Sequence, residues 1–435
     1  MIFFILISIL IGLLSHFYYV AEKKRNYWKD RNIPHIESPL WGHLLATTFL
    51  QEHVTTTLNK LYNHDRAKNQ KFVGINIFHK PSILVRDPEL VKRILVKDFN
   101  YFPRRHTATD LRSDPLAGNN LFFINNNFLW KAIRTKLSPV LTSGKMKQMF
   151  YMLDKVGNDL NQVISKRVKN GPSEIPIHVL FRMYNVDAIS LVAFATESNC
   201  LKDPENSHFL KNAKIAFSST FINKLSGTCC FFLQELMKLP GMHVFNPVFG
   251  KFLSELLYEV TEKRIKSGVI RNDLVDALIK IKSDALNQND SFITDELLAS
   301  QAAVFFFAGF ETTSATMQLF FYLLAQNPEV QRKVRKEIQQ AFEKHGKLTY
   351  EFITNEISYT TNAIKETMRL YPITPFIDRE CDRFAMLQMR IGIVNVLKSF
   401  TVQTTKDTPK NIQFDPTNIL LVPDKELNLR FVENP

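Results

Sequence analysis

Between Ile2 and Val20 the chain carries no Asp, Glu, Lys or Arg. Those nineteen residues, at 1.5 Å each, make a helix of about 28 Å, the thickness of a bilayer's hydrocarbon core. A cleaved leader fits less well. The run is long for an h-region, no charge precedes it, and no small-x-small site closes it. Lys23, Lys24 and Arg25 follow at once, so the positive-inside rule puts the rest of the chain in the cytosol. We expect a single transmembrane signal anchor over 1–20 and a basic, proline-containing hinge over 21–45 that carries Trp28, Pro34, Pro39 and Gly42. Four irregularly spaced cysteines (Cys200, Cys229, Cys230, Cys381) do not make a disulfide framework, which agrees with a reducing compartment.

Beyond residue 45 no Gly/Ser or Pro block offers a linker, so 46–435 reads as one large domain. With 45% hydrophobic and 22% charged residues it is too apolar for a disordered chain. The net charge of +13 favours an acidic partner: anionic lipid, nucleic acid or protein. Dispersed charge without an aromatic strand platform argues against nucleic acid. Apolar spacings of 3 to 4 predict helices over 129–142, 148–166, 178–196, 250–267, 293–326, 328–344 and 355–370. In the sixth, Asn327 is the expected N-cap, with Pro328 next and Glu329 in the first turn. Strands are confined to a hairpin over 72–84, broken at His79-Lys80-Pro81, and a terminal β-region from Ser399–Val402 and Ile419–Phe431. The fold class is mainly α, a helix-rich α+β plan.

The chemistry narrows by exclusion. The chain has no phosphate loop, no GxGxxG, CxxC, HExxH or GxSxG motif, and no His pair at i, i+4 among its 11 His. What stands out is Ala308-Gly309-Phe310-Glu311-Thr312-Thr313 inside a long apolar helix. Gly309 admits a close approach to the backbone, and a Thr hydroxyl bonded to the preceding turn would open a groove. Glu311 beside Thr312 could relay protons, although a plain buried helix with a tolerated Gly and a solvated Glu also accounts for the segment. Glu366 and Arg369 share a helix face at i, i+3 and can pair, and Trp130 and Arg134 lie one turn apart with donors that could meet one carboxylate.

In this order, behind an N-terminal anchor, these segments resemble the microsomal, insect-like cytochrome P-450 family of haem-thiolate monooxygenases. Pro375 to Arg379 and the L-helix-like Arg383-Phe384-Ala385-Met386-Leu387-Gln388-Met389-Arg390 extend the resemblance. It implies the cytochrome P-450 fold, helix-rich with small β-regions, and a cytosol-facing domain at the endoplasmic reticulum membrane. The reaction it implies is insertion of one oxygen atom from O2 into lipophilic substrates. The implied partners are an NADPH-dependent reductase, cytochrome b5 and membrane lipid. By the same resemblance Trp130, Arg134 and Arg379 would bind haem propionates, and Ala308 and Gly309 would flank the oxygen pocket. Glu311 and Thr312 would deliver protons, and Glu366 with Arg369 would brace the haem-side core.

The family's iron ligand is a Cys in a Phe-x-x-Gly-x-Arg-x-Cys-x-Gly loop before the L helix. This sequence has no such loop. Its expected place is taken by Arg379, and Cys381 makes a poor substitute because a thiolate needs donors and aim that nothing nearby supplies. The 11 residues Pro372 to Asp382 could span at most about 40 Å, enough to reconnect two helices and nothing more. The sequence thus reads as internally deleted near 381–382, and Glu366–Arg369 as a buried pair that has lost its third partner. The expected origins are a splice or gene-model product of an intact monooxygenase gene, or a haem-free relic that binds apolar ligands or partners without turnover. The Phe-rich stretch around Cys229-Cys230-Phe231-Phe232, with Phe245, Phe249 and Phe252, fits either a membrane-dipping surface or core packing. Lys131, Arg134, Lys136, Lys145 and Lys147 offer a basic face to an acidic redox partner, unless they are merely solvated.

Overall fold

A computed structural model describes residues 25–39, 41–78, 80–216, 220–374 and 376–379, isolated positions before 25, and the backbone of 400–404 and 429–433. The expected anchor and the L-helix-like segment lie outside the described residues. These residues group into two compact units, one of 1–92 with 105–378 and one of 93–104 with 379–435.

The first unit is helical. Leaving shorter helices unlabelled, its elements are α1 (Val54–Tyr62), β1 (Phe72–Ile77), β2 (Lys80–Val85), α2 (Asn127–Leu137), α3 (Ser143–Val168), α4 (Ile177–Phe194), α5 (His208–Ala216) and α6 (Phe221–Phe232). They continue as α7 (Pro247–Ser267), α8 (Leu274–Asn287), α9 (Asp295–Gln326), α10 (Pro328–His345) and α11 (Ser358–Leu370). All seven expected helices are present. Among the described residues, four further labelled helices, α1, α5, α6 and α8, and the shorter unlabelled ones go beyond that expectation. The hairpin forms with Phe72 opposite Val85 and Ile77 opposite Lys80.

α9 is the axis. Thr294 caps it by accepting from the Leu297 amide, and Asp295 and Glu296 meet the positive end of its dipole. Leu298, Ala302, Phe306 and Phe310 are buried in one core with Leu180, Val186, Leu191 and Phe194 of α4, the two helices meeting at Phe306–Phe194 and Gly309–Ile189. At 18 apolar-rich residues α4 is long enough to cross a membrane, but 61% of it is buried inside the protein, as in a core helix.

The hinge is packed rather than free-standing. The Trp28 indole donates to the Ile75 carbonyl at 2.9 Å and lies across Gly74, where a Cβ would stand 2.6 Å from the ring. Pro34 and Ile36 exchange backbone hydrogen bonds with Gly74, so residues 28–36 run beside β1. At α10 the expected start is found, with Asn327 at the N-cap, Pro328 next and Glu329 in the first turn. The Asn327 side chain does not cap α10, because its Nδ2 donates back to the Leu323 carbonyl of α9. The cap of α11 comes from elsewhere: Glu337 of α10 accepts from the Tyr359 and Thr360 amides at 2.7 and 2.8 Å.

In the second unit, β3 (Phe400–Thr404) pairs antiparallel with β4 (Leu429–Glu433), agreeing with the expected terminal β-region; 405–428 lie outside the described residues. Within the same unit the Arg379 guanidinium lies 5.9 Å from the Phe99 ring centre.

Candidate functional site

The AGFETT turn sits midway along α9, and α9 passes through it as unbroken α-helix. The Thr312 hydroxyl donates to the Ala308 carbonyl at 2.5 Å, the back-bond expected from a Thr there. The helical ladder nonetheless continues, without the groove that the sequence suggested. Ala308, Thr312 and Thr313 are exposed. Gly309 does receive a close approach, and its neighbour is a side chain of α4: a Cβ at this position would lie 2.7 Å from Ile189 Cδ1.

Glu311 turns toward α4. Its Oε1 accepts from Arg182 Nη2 at 2.5 Å, both side chains being a little over two-fifths exposed. Oε2 is buried without a hydrogen bond. The sequence did not single out Arg182, because an Arg on an apolar helix face gives no sign of its partner 129 residues away.

On α2 the Arg134 guanidinium stacks 5.1 Å from the Trp130 ring centre, so the two share a face as their spacing requires. Arg134 and Lys131 are exposed. Lys145 is bound to Asn272 and Lys147 to Glu351, which removes them from the expected basic face. Glu366 and Arg369 form the expected pair, bidentate at 2.7 and 2.7 Å. The pair is 52% and 68% exposed, so the buried, partner-starved pair is corrected to a solvated one whose stabilisation is small. Each group reinforces the other's charge: the guanidinium holds the Glu366 carboxyl below its ordinary range, and the carboxylate holds Arg369 above its own.

The Phe-rich stretch is core. Cys229, Cys230, Phe232, Phe245 and Phe249 are buried, and Phe231 packs on Phe122 and Phe376. α6 instead exposes Phe221 and Ile222 at its other end.

A family model described as cytochrome P450 matches residues 34–383. The chain belongs to the cytochrome P-450 family. A probable cytochrome P-450 6g2 of Drosophila melanogaster is 29% identical over 516 positions, covering 99% of this chain and 98% of that protein. A probable cytochrome P-450 6w1 of the same fly is 33% identical over 386 positions (87% of this chain, 74% of that one), and cytochrome P-450 6k1 of Blattella germanica 31% (84% and 72%). The 516 positions exceed what 99% of a 435-residue chain can fill, about 431, so at least about 85 have no counterpart here.

This cytochrome P-450 family is one of haem-thiolate monooxygenases, which makes the sulfur donors decisive. Burial pushes the Cys200 thiol up to about 12 and the Cys229 thiol up to about 11, and raises Cys230 further. All three are nearly or fully inaccessible. Among the described residues no group of three His, Cys, Asp or Glu could hold a metal. Cys381 lies outside them. The described residues pair Trp130 with Arg134 on α2 and carry the 308–313 turn on α9, and they offer no accessible thiolate. They do not fit a thiolate-held haem.

Proposed function

We propose that this chain is a membrane-bound haem-thiolate monooxygenase scaffold in a form impaired for turnover. The reaction to which the scaffold is suited is insertion of one atom of O2 into a lipophilic substrate, xenobiotic or endogenous, with NADPH-derived electrons arriving through a flavoprotein reductase. The uncharged run 2–20 and the Lys23-Lys24-Arg25 that closes it support a single N-terminal anchor with the domain facing the cytosol, and the family likeness supports the endoplasmic reticulum as the membrane. Trp130, Arg134, Ala308, Gly309, Glu311, Thr312 and Arg379 are the site residues of that scaffold, and Glu366 with Arg369 its structural pair.

One observation carries the impairment: the described cysteines are buried, protonated thiols, and no ligand loop stands in the sequence. The family match ending at residue 383 supports a junction near 381–382. The same observation favours a second reading, a catalytically silent, haem-free product that binds apolar ligands or partners on the family scaffold. Turnover with reductase, NADPH and a panel of lipophilic substrates separates the two: residual oxidation in proportion to a substoichiometric haem content supports the impaired enzyme, and no oxidation with no haem supports the silent product. Transcript sequencing across the codons of Cys381 and Asp382 tests the junction, a longer isoform with identical flanks being the expected result.

A further inference from the structure

Residues 105–110 have no regular secondary structure, yet the amides of 106–108 are committed to distant partners. The His106 and Thr107 amides donate to Asp378 Oδ2 at 2.6 and 3.1 Å, and the Thr107 hydroxyl reaches the same oxygen at 3.1 Å. The other carboxylate oxygen faces Arg105 Nη1 at 3.5 Å. Ala108 then donates to the Cys230 carbonyl at 3.0 Å. Thr107 is wholly buried, so its donors cannot turn to water while the segment stays in place. The Arg105 guanidinium lies 4.6 Å from the Phe122 ring centre, Phe122 meets Phe231 at 6.2 Å, and Phe231 meets Phe376 at 5.5 Å. Phe376 stands two residues before Asp378, so one short stretch supplies both the carboxylate and an aromatic wall.

We propose that Asp378 is a positioning residue: its carboxylate holds residues 105–108 shut over the Phe122–Phe231–Phe376 patch, and loss of that hold admits small apolar molecules. The reason is local. One ionised carboxylate serves three donors and an Arg, and charge-assisted bonds of this kind are the strong ones. Among the described residues the Thr107 amide has no other acceptor, so without the carboxylate it gains by opening to water, against the Gln234 Nε2 donation to the His106 carbonyl and the Ala108–Cys230 bond that remain. An apolar molecule entering there would part rings that already present apolar surface. This hold is independent of haem and of turnover.

The test uses the full chain in detergent, comparing Asp378→Ala with the unsubstituted protein by amide hydrogen exchange and by uptake of Nile red. The expected result is exchange at 106–108 faster by on the order of 10-fold, unchanged exchange in α4, and faster dye uptake. Unchanged exchange at 106–108 overturns the hold, and so does acceleration that is equal in α4. Faster exchange with unchanged dye uptake overturns the entry role. Should Asp378→Ala fail to fold, Asp378→Asn, which keeps an acceptor oxygen and loses the charge, and Arg105→Met carry the same comparison.

Discussion

Arg182 and Glu311 meet at 2.5 Å between α4 and α9, and the bond falls in the turn that also carries the Thr312 hydroxyl. The acid of the motif is thereby occupied by a cation of the neighbouring helix. Both side chains are substantially exposed, so screening keeps the pair's worth to about 0.2–1 kcal/mol. A double-mutant cycle of Arg182→Met and Glu311→Gln by denaturant unfolding should give a favourable coupling in that range, smaller at high salt. A coupling indistinguishable from zero at low salt would remove the pair from the reasons α4 and α9 pack as they do.

The end of the Ile189 side chain occupies the space of the missing Gly309 side chain. Gly309→Ala gains about 1 kcal/mol of helix propensity against an overpacking cost of about 1–3 kcal/mol, which turning the end of the half-buried Ile189 side chain away reduces, so the net change runs from about zero to a loss of about 2 kcal/mol. Ile189→Val, which trims the clashing Cδ1, should restore part of the loss in the double variant. Equal stability of Gly309→Ala and the unsubstituted protein would show that Ile189 yields freely.

The three described thiols should resist alkylation in the native state at neutral pH, because the thiolate is the nucleophile and burial holds each thiol above the ordinary 9.0. Their raised values favour the protonated, folded form. The contribution is therefore fully present below about 9 and is lost as pH rises through about 11 and 12. Mass spectrometry after a short iodoacetamide pulse should find Cys200, Cys229 and Cys230 unmodified unless the chain is first denatured.

Much of the helical plan was legible because long amphipathic or apolar runs declare their period, as in 293–326 and 328–344. Helices such as α5 and α6 were missed because they are short and interrupted by polar and small residues. The motifs at 308–313, 366–369 and 130–134 could be read as patterns, whereas what each touches could not. Ile189, Arg182 and Asp378 act through contacts between residues far apart in the chain, and the stacking of Arg134 on Trp130 is one of several geometries that their spacing allows. Whether Phe231 and Phe232 face lipid or core depends on Phe122 and Phe376, which no local pattern links to them.

Glu337 caps a helix other than its own. Partial burial pushes its carboxyl up, but the bonds from Thr360 and Tyr359 outweigh this and leave it below the ordinary 4.5. A depressed folded value stabilises above about 4.5, and the effect is lost as pH falls through the folded value. Glu337→Gln should cost about 1 kcal/mol near neutrality, and thermal melts should show the difference shrinking in acid. A difference that stays constant from neutral pH to well below 4.5 would contradict the assignment.

The most direct measurement is the haem content of the purified, full-length chain expressed with haem supply, read by pyridine haemochromogen and by the carbon monoxide difference spectrum of the reduced protein. A chain whose described thiols are buried and protonated, and whose sequence lacks the ligand loop, should carry no stoichiometric haem and give no thiolate-type carbonyl band. One haem per chain with a thiolate-type band, abolished by Cys381→Ser, would contradict this and make Cys381 the ligand.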